Sequence, residues 1–309
     1  MQALLDIILP VFVVIGLGYA VTWAKLLGQS TLDGLVQFTQ TIAIPCLLFR
    51  AISQIDLAGT INAPLIISYY LGAFASFAAG FSGAKLLFAR STTDAVAIGF
   101  CCLFSNTILL GIPITERAYG AGALADNFAI IAFHAPLCYL VGVAAMELAR
   151  SGPSSAFQKT AHVFNAMFRN PFVIAIGLGL IVNVTELPLP VPLTSGLDLL
   201  ATAALPAALF GLGGILYQYR PEGDTRTIIM ICAISLIVHP TIVYATGQAL
   251  SLDRDALRSA VLTAAMAPGV NTYLFANIYG AARRVAASSV LFATAASTLT
   301  ILLWLMILP

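Results

Sequence analysis

The sequence carries little charge. Only 9% of its 309 residues are Asp, Glu, Lys or Arg, and 60% are apolar, whereas an ordinary soluble domain has about 25% charged residues. This composition excludes a soluble globular protein. The net charge of +1 provides no basic surface for nucleic acid, so we expect no nucleic-acid partner.

The residues needed for catalysis or metal binding are also scarce. The five cysteines form no C-x-x-C pair, and no histidine lies at metal-ligand spacing from them. The centres of the apolar runs contain no Asp, Glu, Lys or Arg, so paired carboxylates or a nucleophile with its base cannot be assembled there. We therefore expect no catalytic residues, no cofactor and no metal site.

Long apolar runs dominate the chain instead. A helix needs about 20 apolar residues to cross a bilayer, and the sequence predicts an all-α polytopic membrane protein with ten such spans. They cover residues 3–24, 34–52, 63–88, 94–116, 124–148, 171–187, 198–218, 227–250, 256–279 and 285–308. On alternate sides of the membrane the 14 Lys and Arg residues divide 10 to 4. The positive-inside rule then places the polar 150–170 linker in the cytoplasm and both termini outside.

An internal repeat divides the chain. Residues 10–18 and 171–179 are identical at five of nine positions, and so are residues 41–49 and 202–210, both at an offset of 161. The repeats 1–149 and 171–309 each hold five predicted helices. Because five is odd, the second repeat enters the membrane from the opposite face, and inverted repeats of this kind are typical of secondary transporters.

Matching interruptions in the fourth and ninth spans predict the binding site. Transporters of this kind bind substrate near the membrane midplane, where Pro or Gly interrupts helices in corresponding positions of the two halves. The backbone groups freed there become candidate ligands. The alternative is a pair of ordinary proline kinks with interhelical amide hydrogen bonds. The interrupting residues are Asn106, Gly111 and Pro113 in the fourth span, and Pro268, Gly269 and Asn271 in the ninth.

The motifs P-x-L-L-F (45–49), N-x-x-x-x-G-I-P (106–113) and A-M-A-P-x-x-N (265–271), the last followed by Y-G, resemble the auxin efflux carrier (AEC) family. That family includes bacterial malonate and malate permeases and plant auxin exporters. The resemblance implies a fold like that of the bile acid/sodium symporters, in which helices 4 and 9 cross as broken helices. It further implies a scaffold of helices 1, 2, 6 and 7, a transport domain of helices 3–5 and 8–10, elevator-type movement, a homodimer through the scaffold, and a bacterial inner membrane location.

The family pattern transfers onto Asn106, Gly111, Pro113, Pro268 and Asn271, whereas Thr107 and Thr272 are candidates by adjacency alone. With no buried Arg, an anion at the midplane has to be bound by backbone N–H groups, by the two Asn amides and by the positive ends of half-helices. We expect these half-helices to begin near Pro113 and Gly269. Each helix end contributes only about 0.3–2 kcal/mol, so we expect modest affinity.

The driving ion stays open at the level of sequence. His134 and His239 are the histidines at membrane depth, and a proton relay through either is one interpretation. The other is that each caps carbonyls exposed by the nearby Pro136 or Pro240. The leading function is a transporter of small organic anions, namely carboxylates. The alternatives are a sodium-coupled symporter of bile acid type and a membrane sensor that binds the anion without moving it.

Overall fold

The computed structural model describes residues 2–54, 62–150, 171–219 and 224–309, and those residues are almost entirely helical. Within them, seven helices are long and apolar enough to cross a membrane. We number them with the shorter helices in chain order. The seven are α1 (Gln2–Trp23), α2 (Gln29–Gln54), α3 (Ala63–Phe88), α6 (Leu124–Ala149), α8 (Val191–Gln218), α9 (Thr225–Ala249) and α12 (Arg283–Ile307).

Three predicted spans correspond to shorter helices. The sixth predicted span coincides with α7 (Pro171–Thr185). The fourth contains α4 (Thr92–Leu103) and α5 (Ile112–Tyr119), and the ninth contains α10 (Arg254–Ala264) and α11 (Val270–Tyr279). Most of the predicted linker, residues 151–170, lies outside the described residues.

One boundary differs from the prediction in a way that affects charge placement. Helix α8 begins at Val191, not at 198. The prediction placed the start too late because the first turns carry polar residues that lower the local hydropathy. Asp198 therefore lies inside this helix, where its carboxylate accepts a hydrogen bond of 2.6 Å from Nε of Arg50. Asp198 is therefore the eighth residue of this 28-residue helix, not the first residue of the span as predicted.

The chain divides into two compact units. The first comprises Met1–Leu9, Ile61–Thr160 and Tyr219–Pro309, and the second comprises Pro10–Thr60 and Ala161–Gln218. The second unit contains most of α1, together with α2, α7 and α8. The first contains α3 to α6 and α9 to α12, including both interrupted spans.

Glycines allow close helix crossings in the second unit. A Cβ at Gly18 would collide with the backbone carbonyl of Phe210, and one at Gly213 would collide with that of Ile15. The carbonyl oxygen of Phe49 would lie 3.0 Å from a Cβ at Gly179. Helices α1 and α8, and likewise α2 and α7, therefore approach each other closely because these positions lack side chains.

Within the first unit, an arginine side chain binds the start of α1. Pro10 lies inside α1 and has no N–H to donate to the carbonyl of Asp6. The Arg117 guanidinium donates to the Asp6 carbonyl in its place, and also to the Ile7 carbonyl, at 2.8 Å each. A side chain of α5 thus satisfies backbone acceptors at the helix end.

Candidate functional site

The fourth predicted span is interrupted at Phe104–Asn106. Helix α4 ends at Leu103, and the next three residues leave the helical conformation. The helix resumes with a π-helical turn, Thr107–Gly111, that leads directly into α5. The Asn106 side chain caps this turn, because its Oδ1 accepts a hydrogen bond from the Leu109 N–H at 3.2 Å.

The ninth predicted span is interrupted at Ala265–Gly269. Helix α10 ends at Ala264, and α11 begins at Val270 after the extended residue Gly269. The Thr272 hydroxyl donates to the Gly269 carbonyl at 2.8 Å, within the first turn of α11. This interruption lies where Pro268 and Gly269 predicted it.

The two interruptions pair with each other as a short antiparallel bridge between Ser105 and Pro268. The Asn106 N–H donates to the Ala267 carbonyl at 2.8 Å, and the Gly269 N–H donates to the Phe104 carbonyl at 2.9 Å. Because both hydrogen bonds come from the residues beside the bridge, Pro268 needs no donor of its own. The pairing satisfies backbone groups that would otherwise be exposed in an apolar interior.

This bridge brings two helix N-termini together, those of the Thr107 turn and of α11. Helix N-termini carry partial positive charge and unpaired N–H donors, so they favour an anion. Asn106 is only 6% exposed, and its Nδ2 has no hydrogen-bond partner among the described residues. Since Oδ1 is held by the cap, the amide presents a buried, unused donor next to the bridge.

The other predicted site residues lie on the same two half-helices. Thr107 begins the first half-helix and Thr272 lies in the first turn of the second; both are buried. Asn271 is the second residue of α11 and is half-buried. Gly111 closes the π-helical turn that follows Asn106.

Pro113 does not begin a half-helix, so that part of the prediction is wrong. It lies in the first turn of α5, after the π-helical turn, in a helical stretch that starts at Thr107. Pro113 is accommodated because the turn before it is π-helical, so the regular hydrogen-bond ladder is already altered there. The interruption therefore occurs earlier, at residues that include neither proline nor glycine.

A buried hydrogen-bond network adjoins the bridge and centres on Ser105, which the sequence analysis missed. Nε2 of His134 lies 3.1 Å from the Ser105 carbonyl oxygen, and Nδ1 of His239 lies 3.4 Å from the Ser105 hydroxyl. The Tyr69 hydroxyl lies 3.5 Å from Nδ1 of His134. No sequence motif marks Ser105 as special; its neighbour Asn106, a favoured helix-capping residue type, is the available signal.

The capping interpretation of His134 therefore needs correction. That interpretation has it cap carbonyls exposed by Pro136, but its Nε2 binds the carbonyl of Ser105 in the interruption. The Ser105 carbonyl belongs to no helix and is free to accept a hydrogen bond. The His134 ring therefore connects α6 with the interrupted segment. The contacts of His239 do not match the capping interpretation either, since its Nδ1 faces the Ser105 hydroxyl.

Comparison with known proteins identifies the family. The profile of a family described as "Membrane transport protein" matches residues 4–154 and 156–305. A protein of Rhizobium meliloti (strain 1021) named "Putative malonate transporter" is 26% identical over 307 residues, which cover 97% of this chain and 94% of that protein. These similar proteins are transporters, not enzymes. The chain therefore belongs to the auxin efflux carrier family of membrane transport proteins.

Proposed function

We propose that the protein carries small organic anions of the carboxylate class across the membrane, and that it binds them where the two interrupted spans pair. The observation that carries this proposal is the Ser105–Pro268 bridge, which juxtaposes two helix N-termini and leaves the Asn106 Nδ2 donor unused. Carboxylates match such a site, because they accept several N–H donors at once. The similarity to a protein named as a malonate transporter makes malonate the first substrate to test.

Ten spans in two inverted repeats form part of the proposal. Gly18 and Gly179 are 161 residues apart, and so are Phe49 and Phe210. Gly18 packs on the carbonyl of Phe210, while Gly179 packs on the carbonyl of Phe49. Such reciprocal contacts between equivalent residues are what a two-fold relation between repeats requires.

The helix starts support the same relation. The Ser91 side chain caps α4, and the Asp253 side chain caps α10, which begins the matching span of the second half. The two interruptions also pair symmetrically, each donating one N–H to the other. The repeat boundaries 1–149 and 171–309 remain part of this proposal.

The two compact units support an elevator mechanism. One unit contains both interrupted spans and hence the whole proposed site, while the other contains most of α1 with α2, α7 and α8. In this proposal the first unit is the transport domain and carries the anion, and the second is the scaffold through which two copies form a homodimer. The family resemblance favours the bacterial inner membrane, and the distribution of Lys and Arg favours both termini on the periplasmic side.

The test is malonate uptake into proteoliposomes that contain the purified protein. Asn106→Ala and Asn271→Ala should each lower uptake at least about tenfold, because each removes an amide donor from the proposed site. Asn277→Ala is the matched control: Asn277 lies on α11 but is exposed, six residues beyond Asn271, and this variant should transport as wild type does.

Three other outcomes would reject parts of the proposal. Uptake that persists in both Asn106→Ala and Asn271→Ala would place the site elsewhere. Uptake that stops when sodium is replaced by potassium would favour a sodium-coupled symporter. Binding of malonate without any flux would favour a sensor.

A further inference from the structure

The histidine network beside the bridge contains one ring with all its polar atoms paired. A carbonyl oxygen can only accept, so Nε2 of His134 carries the hydrogen that it shares with Ser105 at 3.1 Å. Nδ1 of His134 is then the acceptor, and it faces two donors, the Tyr69 hydroxyl at 3.5 Å and the Cys138 thiol at 3.7 Å. A neutral His134 in this tautomer therefore has a partner for each of its ring nitrogens.

The second histidine differs. His239 is fully buried. Its Nδ1 lies 3.4 Å from the Ser105 hydroxyl, and the backbone of Tyr69 also interacts with this ring. Nε2 of His239 has no hydrogen-bond partner in the described part of the chain. A buried, unpaired polar atom is costly, so it calls for a physical explanation, of which a functional role is one.

The groups that face His239 carry no formal charge. The ring of Tyr69 on α3 lies 5.5 Å from the His239 ring, and α6 contributes His134 and Cys138 to the same network. The three charged residues of α10 are directed elsewhere: Arg254 and Asp255 are exposed, and Arg258 binds the Pro309 carbonyl. Among the described residues, a positive charge on His239 would therefore find no counterion near it.

We propose that His239 is the proton-binding site that couples anion transport to proton transport, so that the protein is a proton–carboxylate symporter. This inference rests on the proposed function. An imidazolium at His239 is unfavourable alone, but His239 contacts Ser105, which precedes Asn106 in the chain and pairs with Pro268 at the proposed anion site. An anion bound there supplies the missing negative charge, so anion and proton each raise the affinity for the other by the same factor.

The step involves a single N–H bond. His239 takes a proton from water on the side where the anion binds, holds it as imidazolium while the anion is bound, and returns it to water on the other side. The net negative charge inside the apolar interior is one unit smaller than for the anion alone, which lowers the cost of moving a carboxylate through it. His134 acts as a positioning residue that fixes Ser105.

The experiment measures proton uptake on binding. Malonate, adjusted to the pH of the sample, is added to wild-type protein in lipid nanodiscs in weak buffer with a pH indicator, and binding is followed separately by thermal shift. The wild type should take up about one proton per malonate bound. Its dissociation constant for malonate should rise about tenfold per pH unit between about pH 6.5 and 8.

Two variants locate the proton. His239→Gln should bind malonate with a dissociation constant that is flat over this range beyond the titration of malonate itself, and with no proton uptake by the protein. His134→Gln keeps an N–H donor and should retain the pH slope. Because all three proteins bind the same ligand, titration of malonate contributes equally to each pH slope. A difference between the slopes therefore reflects protonation of the protein.

The outcomes separate the two proposals. Malonate binding with no proton uptake in the wild type, or an unchanged pH slope in His239→Gln, overturns the proton site and leaves the transport proposal standing. If His134→Gln loses the pH slope and His239→Gln keeps it, the proton binds to His134, and this outcome also overturns the assignment to His239. Absence of malonate binding in the wild type rejects malonate as substrate and rejects the coupling inference with it.

Discussion

Replacing Asn106 by Asp and by Ser separates its two roles. Asn106 caps a helix with Oδ1 and leaves Nδ2 as a buried donor. Asp and Ser are both good capping residues, so both variants should fold. The Asn106→Asp change keeps the shape of the side chain but exchanges the donor for a negative charge, whereas Asn106→Ser removes the amide donor without adding charge.

The two effects differ in size. A hydrogen bond to a charged group contributes about 1.5–3 kcal/mol, so Asn106→Ser should weaken malonate binding about 10- to 150-fold. Two like charges about 4 Å apart repel by about 4 kcal/mol at an effective dielectric constant of about 20. Asn106→Asp should therefore add about a thousandfold loss to that of Asn106→Ser, so that binding at pH 7 becomes undetectable.

The pH dependence of Asn106→Asp provides the internal check. A carboxyl group loses its charge when protonated, so malonate binding by this variant should recover in part as the pH falls from 7 towards 5. Isothermal titration calorimetry of the two variants and the wild type measures this. If Asn106→Asp bound malonate as tightly as Asn106→Ser at pH 7, Asn106 would not face the anion and the assignment of the site would be wrong.

Three further predictions concern stability. Gly213→Ala forces a Cβ onto a carbonyl of α1 and should lower the free energy of unfolding by about 1–3 kcal/mol; Gly177→Ala, with nothing within 4 Å, should not lower the melting temperature. Asn127→Ala removes donors to two buried threonine hydroxyls and should cost about 1–3 kcal/mol, so an unchanged melting temperature would exclude that bridge. The hydrogen bond from the Thr227 hydroxyl holds the pKa of Asp224 below its usual range; because the lowered value belongs to the folded state, the helix start loses this stabilisation as the pH falls below about 4. Hydrogen exchange at that helix start should then accelerate, and an exchange rate that follows only intrinsic chemistry would refute the cap.

Much of the fold could be predicted because the bilayer imposes long apolar runs. Seven described helices reach spanning length, and the interruption of the ninth span falls where Pro268 and Gly269 break the helix pattern. These two residues act locally, through the missing N–H and the missing side chain. Signals of that kind can be read without knowing what lies opposite in the fold.

The interruption at Phe104–Asn106 could not be read in the same way. Its stability comes from hydrogen bonds with Ala267 and Gly269, which are distant in sequence, and not from any helix-breaking residue of its own. Pro113 drew attention because proline usually breaks helices, but here it follows a π-helical turn within a continuous helical stretch. The boundary of a half-helix is therefore set here by tertiary pairing.

The histidine network was hidden for a related reason. His134 and His239 could be recognised as titratable residues at membrane depth, but nothing in the sequence connects either with Ser105. The connection exists because the non-helical Ser105 exposes both its carbonyl and its hydroxyl to neighbouring helices. Only after the interruption is located does the asymmetry between the two rings become visible.

Solid-state NMR can detect whether the anion rests against the unused amide. Malonate labelled with ¹³C at both carboxyl groups is bound to protein labelled with ¹⁵N in its asparagine side chains, and Asn106→Ser identifies the Asn106 signal. Dipolar dephasing should place a carboxyl carbon about 3.5 Å from Nδ2 of Asn106, as a charge-assisted hydrogen bond requires. Bound malonate with no dephasing at Asn106 would mean that the paired interruptions do not hold the substrate.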